Sequence, residues 1–152
     1  MQTSKVINYI VRWLKDYAVQ SGGMKGFAVG ISNGIDSSVV STLCARTGLP
    51  LLALELPIDL TKKKEKSKSV HIEWLKKNYG ADHVRTINVN LTDTYQKLKE
   101  TCTELQSNEK SELALANVQS RLRMVKKTCF FIQFASELIF CQGHALLFRS
   151  SK

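Results

Sequence analysis

Short apolar segments alternate with helical segments in the first 90 residues of the chain. The apolar runs at 27–31, 51–56 and 84–89 are typical of strands that are buried on both faces of a sheet. Helical patterns fill the intervals at 36–47 and at about 65–79. Because a strand, a helix and a second strand form a βαβ unit, this order predicts an α/β fold, in which a parallel sheet is covered by helices on both faces.

Further helical segments flank these units. Residues 5–18 repeat apolar side chains at the spacing of a helix, and 93–106 and 112–125 are two more predicted helices separated by a polar stretch. With 152 residues, of which 43% are hydrophobic, the chain is long enough to build one ordinary domain around a core. The aromatic residues expected to widen the buried stripe of the first helix are Tyr9, Trp13 and Tyr17.

The charge is strongly positive, with a formal net value of +9 and a cluster of lysines between residues 62 and 68. Such a cluster is usually a solvated loop and helix face, and no aromatic or arginine platform for RNA accompanies it, so nucleic-acid binding is not expected. No run of about 18 apolar residues is present to cross a membrane, and the N-terminus lacks the pattern of a secretory signal. We therefore expect a cytoplasmic protein without membrane association.

The four cysteines are scattered and form no CxxC pair. This spacing predicts neither a zinc site nor a disulfide framework, and we expect the thiols to be reduced and mostly buried. The four positions are Cys44, Cys102, Cys129 and Cys141.

The segment 32–38, which reads Ser-Asn-Gly-Ile-Asp-Ser-Ser, joins the first predicted strand to the helix that follows it. At such a junction several backbone N–H groups and the positive end of the helix dipole point to one place, which favours anion binding. Serine hydroxyls can donate to phosphate oxygens, and glycine lets the backbone approach a ligand closely. The candidate ATP and phosphate-binding residues are Gly30, Ser32, Asn33, Gly34, Asp36, Ser37 and Ser38.

Asp36 is the acidic member of this loop. A carboxylate beside phosphates would repel them unless a divalent cation lay between, so Asp36 is predicted to bind a Mg²⁺ ion that bridges to the β- and γ-phosphates of ATP. The spacing matches neither the Walker loop nor GxGxxG. Taken alone, the segment is also compatible with an ordinary strand-to-helix turn.

The 32–38 segment resembles the SGGxDS signature of the ATP-pyrophosphatases, which split ATP between its α- and β-phosphates. Two other stretches resemble the ammonia-dependent NAD synthetases: 30–57 is similar to their first βαβ unit, and 115–124 to their Asn-x-x-x-Arg-x-Arg-Met helix. The resemblance implies a Rossmann-like, adenine nucleotide alpha hydrolase-like fold. It also implies that Asn117 and Arg121 bind the dinucleotide substrate. These two residues are four apart and share a helical face, although surface ion pairs are the alternative for the arginines.

This resemblance implies an ATP-dependent amidation of nicotinic acid adenine dinucleotide to NAD⁺ with ammonia. ATP would adenylate the nicotinate carboxylate and release pyrophosphate, and ammonia would then displace AMP. No side chain need act as a nucleophile, so no catalytic residue is assigned. Members of the family are homodimers that share the substrate site between subunits, and the first helix is our candidate for covering such an interface.

Several features depart from the family pattern. Asn33 stands where the signature usually has Gly, and a side chain costs about 1 to 2 kcal/mol where only glycine is comfortable. The lysine-rich stretch 58–69 leaves the adenine contacts unassigned.

We divide the chain into two parts. Residues 1–126 are the N-terminal part of a synthetase domain, and 127–152 are a divergent tail. The tail has neither the family's fourth strand nor its Gly-Thr-x-Asn loop and acidic metal ligand. The sequence thus predicts a truncated member, incomplete at its C-terminus, with little or no synthetase activity alone.

Three alternatives remain open. The chain can be another ATP-pyrophosphatase with a different acceptor, as in GMP synthetases or tRNA-thiolating enzymes. It can be a catalytically inactive homologue that binds nucleotide or pairs with a full-length partner. A basic RNA-binding domain is the third alternative.

Overall fold

The computed structural model describes residues 2–20, 24–32, 34–58, 69–101, 109–134 and 138–141. The described chain alternates helices and strands as predicted, and the α/β fold is confirmed. In chain order the elements are α1 (Thr3–Gln20), β1 (Gly26–Ile31), α2 (Ile35–Arg46), β2 (Leu51–Glu55), α3 (Val70–Tyr79), β3 (Val84–Asn88), α4 (Thr92–Glu100), α5 (Glu109–Phe134) and β4 (Leu138–Cys141).

The four strands form one parallel sheet in the order β3-β2-β1-β4. β1 therefore has a hydrogen-bonded neighbour on each side: Phe27 is opposite Leu51 of β2 and Ile139 of β4. A fully apolar strand of this kind needs such neighbours, because buried N–H and C=O groups must be paired.

The expectation that the tail adds no fourth strand is wrong, because β4 lies within 127–152. Its four residues, Leu-Ile-Phe-Cys, are apolar and extend the sheet along the edge of β1 that β2 leaves open. The boundary that we expected between residues 126 and 127 falls inside α5, which runs without a break from Glu109 to Phe134.

Side chains that alternate along the strands build a core on each face of the sheet. Phe27 and Val29 of β1 point to the face covered by α1, α2 and α3, where they pack with Cys44 and Leu75. Ala28 of β1 points to the other face, where Phe130 of α5 packs against it together with Leu52, Leu54 and Ile87. The prediction of helices on both faces is confirmed.

The buried stripe of α1 is narrower than predicted. Only Ala18 is buried within this helix, whereas the side chains of Tyr9 and Trp13 are 71% and 52% exposed. Periodicity identifies residues that share a helix face, but it does not show how much of that face a neighbour covers. Trp13 instead stacks on Tyr17, which is half-buried, with ring centroids 5.3 Å apart.

The described cysteine thiols divide between core and surface. Cys44 is buried, as expected, whereas Cys129 is exposed, which is contrary to expectation. Cys102 and the side chain of Cys141 lie outside the described part of the structure. Within the described ranges, no helix is long and apolar enough to span a membrane.

Two leucines on helices provide a matched test of this core. Leu75 of α3 is fully buried, whereas Leu113 of α5 is 67% exposed. We expect Leu75→Ala to lower the free energy of unfolding by about 2 to 5 kcal/mol, because it leaves a cavity. Leu113→Ala should change it by no more than about 0.5 kcal/mol. Urea unfolding followed by circular dichroism measures both, and equal losses would contradict the assignment of the core.

Candidate functional site

The 32–38 loop follows the carboxyl end of β1, and its residues 35–38 form the first turn of α2. Gly34 is the residue that precedes the first turn of α2, with extended backbone angles of φ −89° and ψ 152°, and no side chain caps the helix there. The first N–H groups of α2, for which no described side chain is an acceptor, can meet an anion at the carboxyl ends of the strands. Asn33, the remaining predicted member of the loop, lies outside the described residues.

The Ser37 hydroxyl holds the loop closed. Its oxygen lies 2.8 Å from the Ser32 carbonyl and 3.0 Å from the Gly34 carbonyl, and it accepts a hydrogen bond from the Ser32 N–H at 3.1 Å. The Ser32 and Ser37 hydroxyl oxygens are themselves 3.0 Å apart. The Ser32 hydroxyl oxygen also accepts a hydrogen bond from the Gly34 N–H at 3.3 Å, and the Ser38 hydroxyl donates to the Gly34 carbonyl at 3.2 Å. The three predicted hydroxyls are thus brought together in one hydrogen-bonded loop.

Asp36 is exposed in the first turn of α2, next to these hydroxyls. The described part of the chain contains no group of three or more acidic, histidine or cysteine side chains that could hold a metal ion. Asp36 therefore forms no preformed metal cage with the other described residues. One carboxylate still fits Mg²⁺, because this ion is commonly held by one or two carboxylates together with substrate phosphates and water.

Asn117 and Arg121 are both exposed on α5 and make no hydrogen bond or ion pair with described residues. Their predicted role in substrate binding remains a prediction. Arg123, two residues further on, is half-buried, and its Nε donates to the carbonyl of Leu56 at 3.0 Å, just after β2. Burial lowers the pKa of this guanidinium. Arg123 thus anchors α5 beside the carboxyl ends of the strands.

Lys127, which the sequence reasoning did not single out, lies over Gly30 of β1. A Cβ atom at Gly30 would come within 2.5 Å of both Cε and Nζ of Lys127, so the absence of a side chain makes room for the lysine. Burial lowers the pKa of the Lys127 ammonium, and the nearby charge of Arg123 lowers it further. Two signals in the sequence could have identified Lys127. Its spacing from Arg123 places both residues on one helix face, and a glycine inside a strand indicates close approach of another group.

His71 of α3 is a second residue that sequence reasoning missed. Its Nε2 lies 2.8 Å from the hydroxyl of the buried Ser41, which also contacts the Ser37 carbonyl at 2.7 Å. A hydroxyl has one proton to donate. When it goes to the Ser37 carbonyl, Nε2 of His71 must carry the hydrogen of the other bond. This chain of contacts connects α3 to the start of α2.

A cavity of about 270 Å³ lies between the chain that follows β3 and the helix α5. It is mostly apolar, and the exposed Cys129 is part of its wall. Its lining residues are Val89, Asn90, Leu91, Thr94, Leu122, Val125, Lys126 and Cys129.

Comparison with known proteins decides the family. The model of the NAD synthase family matches residues 6–145, which is most of the chain. This chain belongs to the NAD synthase family. The resemblance identified from the 32–38 loop and the 115–124 helix is confirmed at this level, and the family is one of carbon–nitrogen ligases.

Individual synthetases match over part of their length. The NH(3)-dependent NAD(+) synthetase of Finegoldia magna is 32% identical over 126 residues, which are 82% of this chain and 47% of that protein. The corresponding enzyme of Mannheimia succiniciproducens is 43% identical over 61 residues, which are 40% of this chain and 24% of that protein. The chain spans about half, or less, of the length of these relatives.

Solved structures agree with the Rossmann-like fold. An NMN synthetase from Francisella tularensis superimposes with a TM-score of 0.72 and 24% identity, covering 91% of this chain and 53% of that one. The NH3-dependent NAD synthetase of Campylobacter jejuni gives a TM-score of 0.67 and 20% identity, covering 91% and 56%. The NAD synthase fold is therefore present here with about half of the neighbours' chain.

The Ser37 hydroxyl is expected to control the order of the loop. In Ser37→Ala, the Ser32 amide loses its acceptor, so its hydrogen exchange should become several-fold faster, in line with about 1 kcal/mol for one hydrogen bond. Ser38→Ala is the matched control, because the Ser38 hydroxyl donates to Gly34 and not to Ser32. Exchange measured by NMR tests this expectation, and an unchanged Ser32 rate in Ser37→Ala would contradict it.

His71 should make the folded state sensitive to acid. Burial lowers its pKa below the ordinary value of 6.5, so the unfolded chain binds the proton more readily than the folded chain does. The free energy of unfolding should therefore decrease as the pH falls from about 6.5 toward the lower pKa of the folded state. In His71→Gln this part of the decrease should disappear. Urea unfolding at pH 7.5 and 5.5 tests it, and equal losses in both proteins would rule it out.

Proposed function

We propose that this chain carries the ATP-binding part of an NH(3)-dependent NAD(+) synthetase, and that the reaction is the amidation of nicotinic acid adenine dinucleotide to NAD⁺. The single observation that supports this most is the closed hydroxyl loop between β1 and α2, inside the segment that matches the family. Nicotinic acid adenine dinucleotide, ATP and ammonia are the proposed substrates. A cytoplasmic location and a homodimer are part of the same proposal.

The loop binds the triphosphate in this proposal. The N–H groups of the first turn of α2 meet phosphate oxygens, and the helix dipole adds favourable charge. Because Ser32 and Ser37 already hold the loop in shape, little conformational entropy is lost when ATP binds. Asp36 holds the Mg²⁺ ion, which offsets phosphate charge when it is bound.

The chemistry has two steps. A carboxylate oxygen of nicotinate forms a bond to the α-phosphorus of ATP, and the bond to the β-phosphate oxygen breaks, which releases pyrophosphate. Ammonia then attacks the carbonyl carbon of the adenylate, and AMP leaves as the amide forms, with the surplus proton passing to solvent. Neither step needs a nucleophilic side chain, so the protein contributes position and charge. Asn117 and Arg121 are proposed to hold the dinucleotide from the exposed face of α5.

Asn33, which stands where the signature usually has Gly, favours a second candidate. In this version the chain binds ATP without completing the reaction, as an inactive nucleotide-binding homologue. This version keeps the division expected from the sequence, with 1–126 as the N-terminal part of the synthetase domain and 127–152 as a divergent tail, and α5 and β4 then join the tail to the sheet. A different acceptor on the same ATP-pyrophosphatase scaffold is a third candidate.

A substitution at Asp36 tests whether the 32–38 loop binds ATP together with Mg²⁺, because its expected effect on ATP affinity reverses when the metal is removed. In the presence of Mg²⁺, Asp36→Asn should weaken ATP binding by at least the roughly 10- to 100-fold that lost outer-shell partners of a metal cost. In EDTA the same variant should bind ATP as well as the wild type or more tightly, because a like charge is gone. Asp82→Asn, in the exposed turn before β3, is the matched control. Calorimetric titration measures all three proteins, and weaker binding in EDTA would contradict the metal role.

The same preparations separate the candidate functions. The purified chain, given nicotinic acid adenine dinucleotide, ATP, Mg²⁺ and ammonia, is expected to bind ATP and to form little or no NAD⁺. Substantial formation of NAD⁺, measured enzymatically, would establish the full activity and overturn the inactive candidate. Failure to bind ATP would overturn the proposed function itself.

A further inference from the structure

Lys127 and Arg123 are cations held together with no described counterion. Their side chains are both half-buried on the α5 face that meets the sheet, and the charge of Arg123 disfavours protonation of Lys127. Among the residues that the structure describes, no carboxylate forms an ion pair with either one. Two partly desolvated like charges are unfavourable unless an anion joins them.

The place where the Lys127 ammonium lies is specific. It is fitted over Gly30, on the same face of β1 as Ala28. Gly30 precedes Ser32 by two residues, and two residues of extended chain span about 7 Å. The ammonium is therefore close to Ser32, the first residue of the loop, whereas α2 packs on the opposite face of the sheet. A polyphosphate in the loop would have N–H groups on one side and this ammonium on the other.

We infer that Lys127 is a further phosphate-binding residue, whose ammonium, with Arg123 beside it, binds oxygens of a di- or triphosphate held by the 32–38 loop. This inference rests on the proposed function, because it takes the loop to be the triphosphate site. The anion would supply the missing counterion for both cations. Arg123 donates from Nε to the Leu56 carbonyl, and its terminal nitrogens, which bond to no described residue, can donate to the same anion.

A purely structural role predicts something different. A lysine stem often packs along apolar surface while its head reaches for water, and in that case removing the charge matters little. Lys127→Met keeps most of the stem and removes the charge. We expect this variant to unfold at the same or a higher urea concentration than the wild type, because a partly buried cation is gone, and yet to bind phosphate more weakly. A structural lysine would not produce these opposite changes.

The probe is inorganic pyrophosphate, titrated by calorimetry into the full chain with Mg²⁺ present. Lys127→Met should lower the affinity about 10- to 100-fold, as expected for losing a hydrogen bond to a charged group. Lys127→Arg should recover part of the loss. Lys126→Met is the matched control: this neighbouring ammonium lies 5.2 Å from the centre of the Phe130 ring, and its removal should change the affinity by less than about fivefold.

Gly30→Ala tests the geometry without removing the lysine. Its methyl group would occupy the space of Cε and Nζ, so Lys127 must turn away, and the affinity for pyrophosphate should fall as it does in Lys127→Met. In the double variant the two losses should not add, because both act on the same contact. Circular dichroism and the urea midpoint show whether each variant is folded.

The outcomes distinguish this inference from the proposed function. No pyrophosphate binding by the wild type, or equal binding by wild type and Lys127→Met, overturns the inference. If Lys127→Met loses binding while Ser37→Ala and Asp36→Asn keep it, the lysine is an anion site away from the loop, and the inference of a shared triphosphate site falls. Pyrophosphate binding that depends on both Lys127 and the loop supports the inference, even where no NAD⁺ is formed.

Discussion

The backbone hydrogen bonds of β1 to strands on both sides determine where everything else lies. This strand is apolar along its whole length, so its side chains build a core on each face while its N–H and C=O groups are paired within the sheet. Because both pairings are parallel, the carboxyl ends of the strands meet at one edge. The 32–38 loop, the Leu56 carbonyl and the chain after β3 all emerge at that edge, where ligands of open α/β sheets bind.

Positively charged groups gather at this edge of the sheet, together with one exposed carboxylate. The N-terminus of α2 carries partial positive charge, and α5 brings Arg123 and Lys127 to the carboxyl ends of the strands. Asp36 is the acidic side chain of the loop, and it is exposed, so a metal ion can reach it together with phosphate. The excess of positive charge in the composition thus has a local counterpart at one site, in addition to the lysines between residues 62 and 68.

The sequence was most informative where a local pattern determines the structure. The strands β1, β2 and β3 and the helix α2 were predicted to within about one residue at each end, since short apolar runs and helical periodicity are local signals. The 32–38 loop was predicted for the same reason, because its residue pattern is a local signal.

The exposure of Tyr9 and Trp13 was not predictable, because periodicity does not specify the neighbour that covers a face of a helix. β4 is a run of four residues, too short to be distinguished from part of a buried helix. Lys127 acquires its position only when α5 packs on a glycine far away in the sequence.

The fit of Lys127 over Gly30 couples two positions that are far apart in the sequence. The two positions do not change independently, since any side chain at 30 would displace the lysine. A methyl group at position 30 makes the flexible end of Lys127 turn aside, and the position of the ammonium over β1 is then lost. The effect of a substitution at either position therefore depends on the residue at the other, which couples α5 to β1.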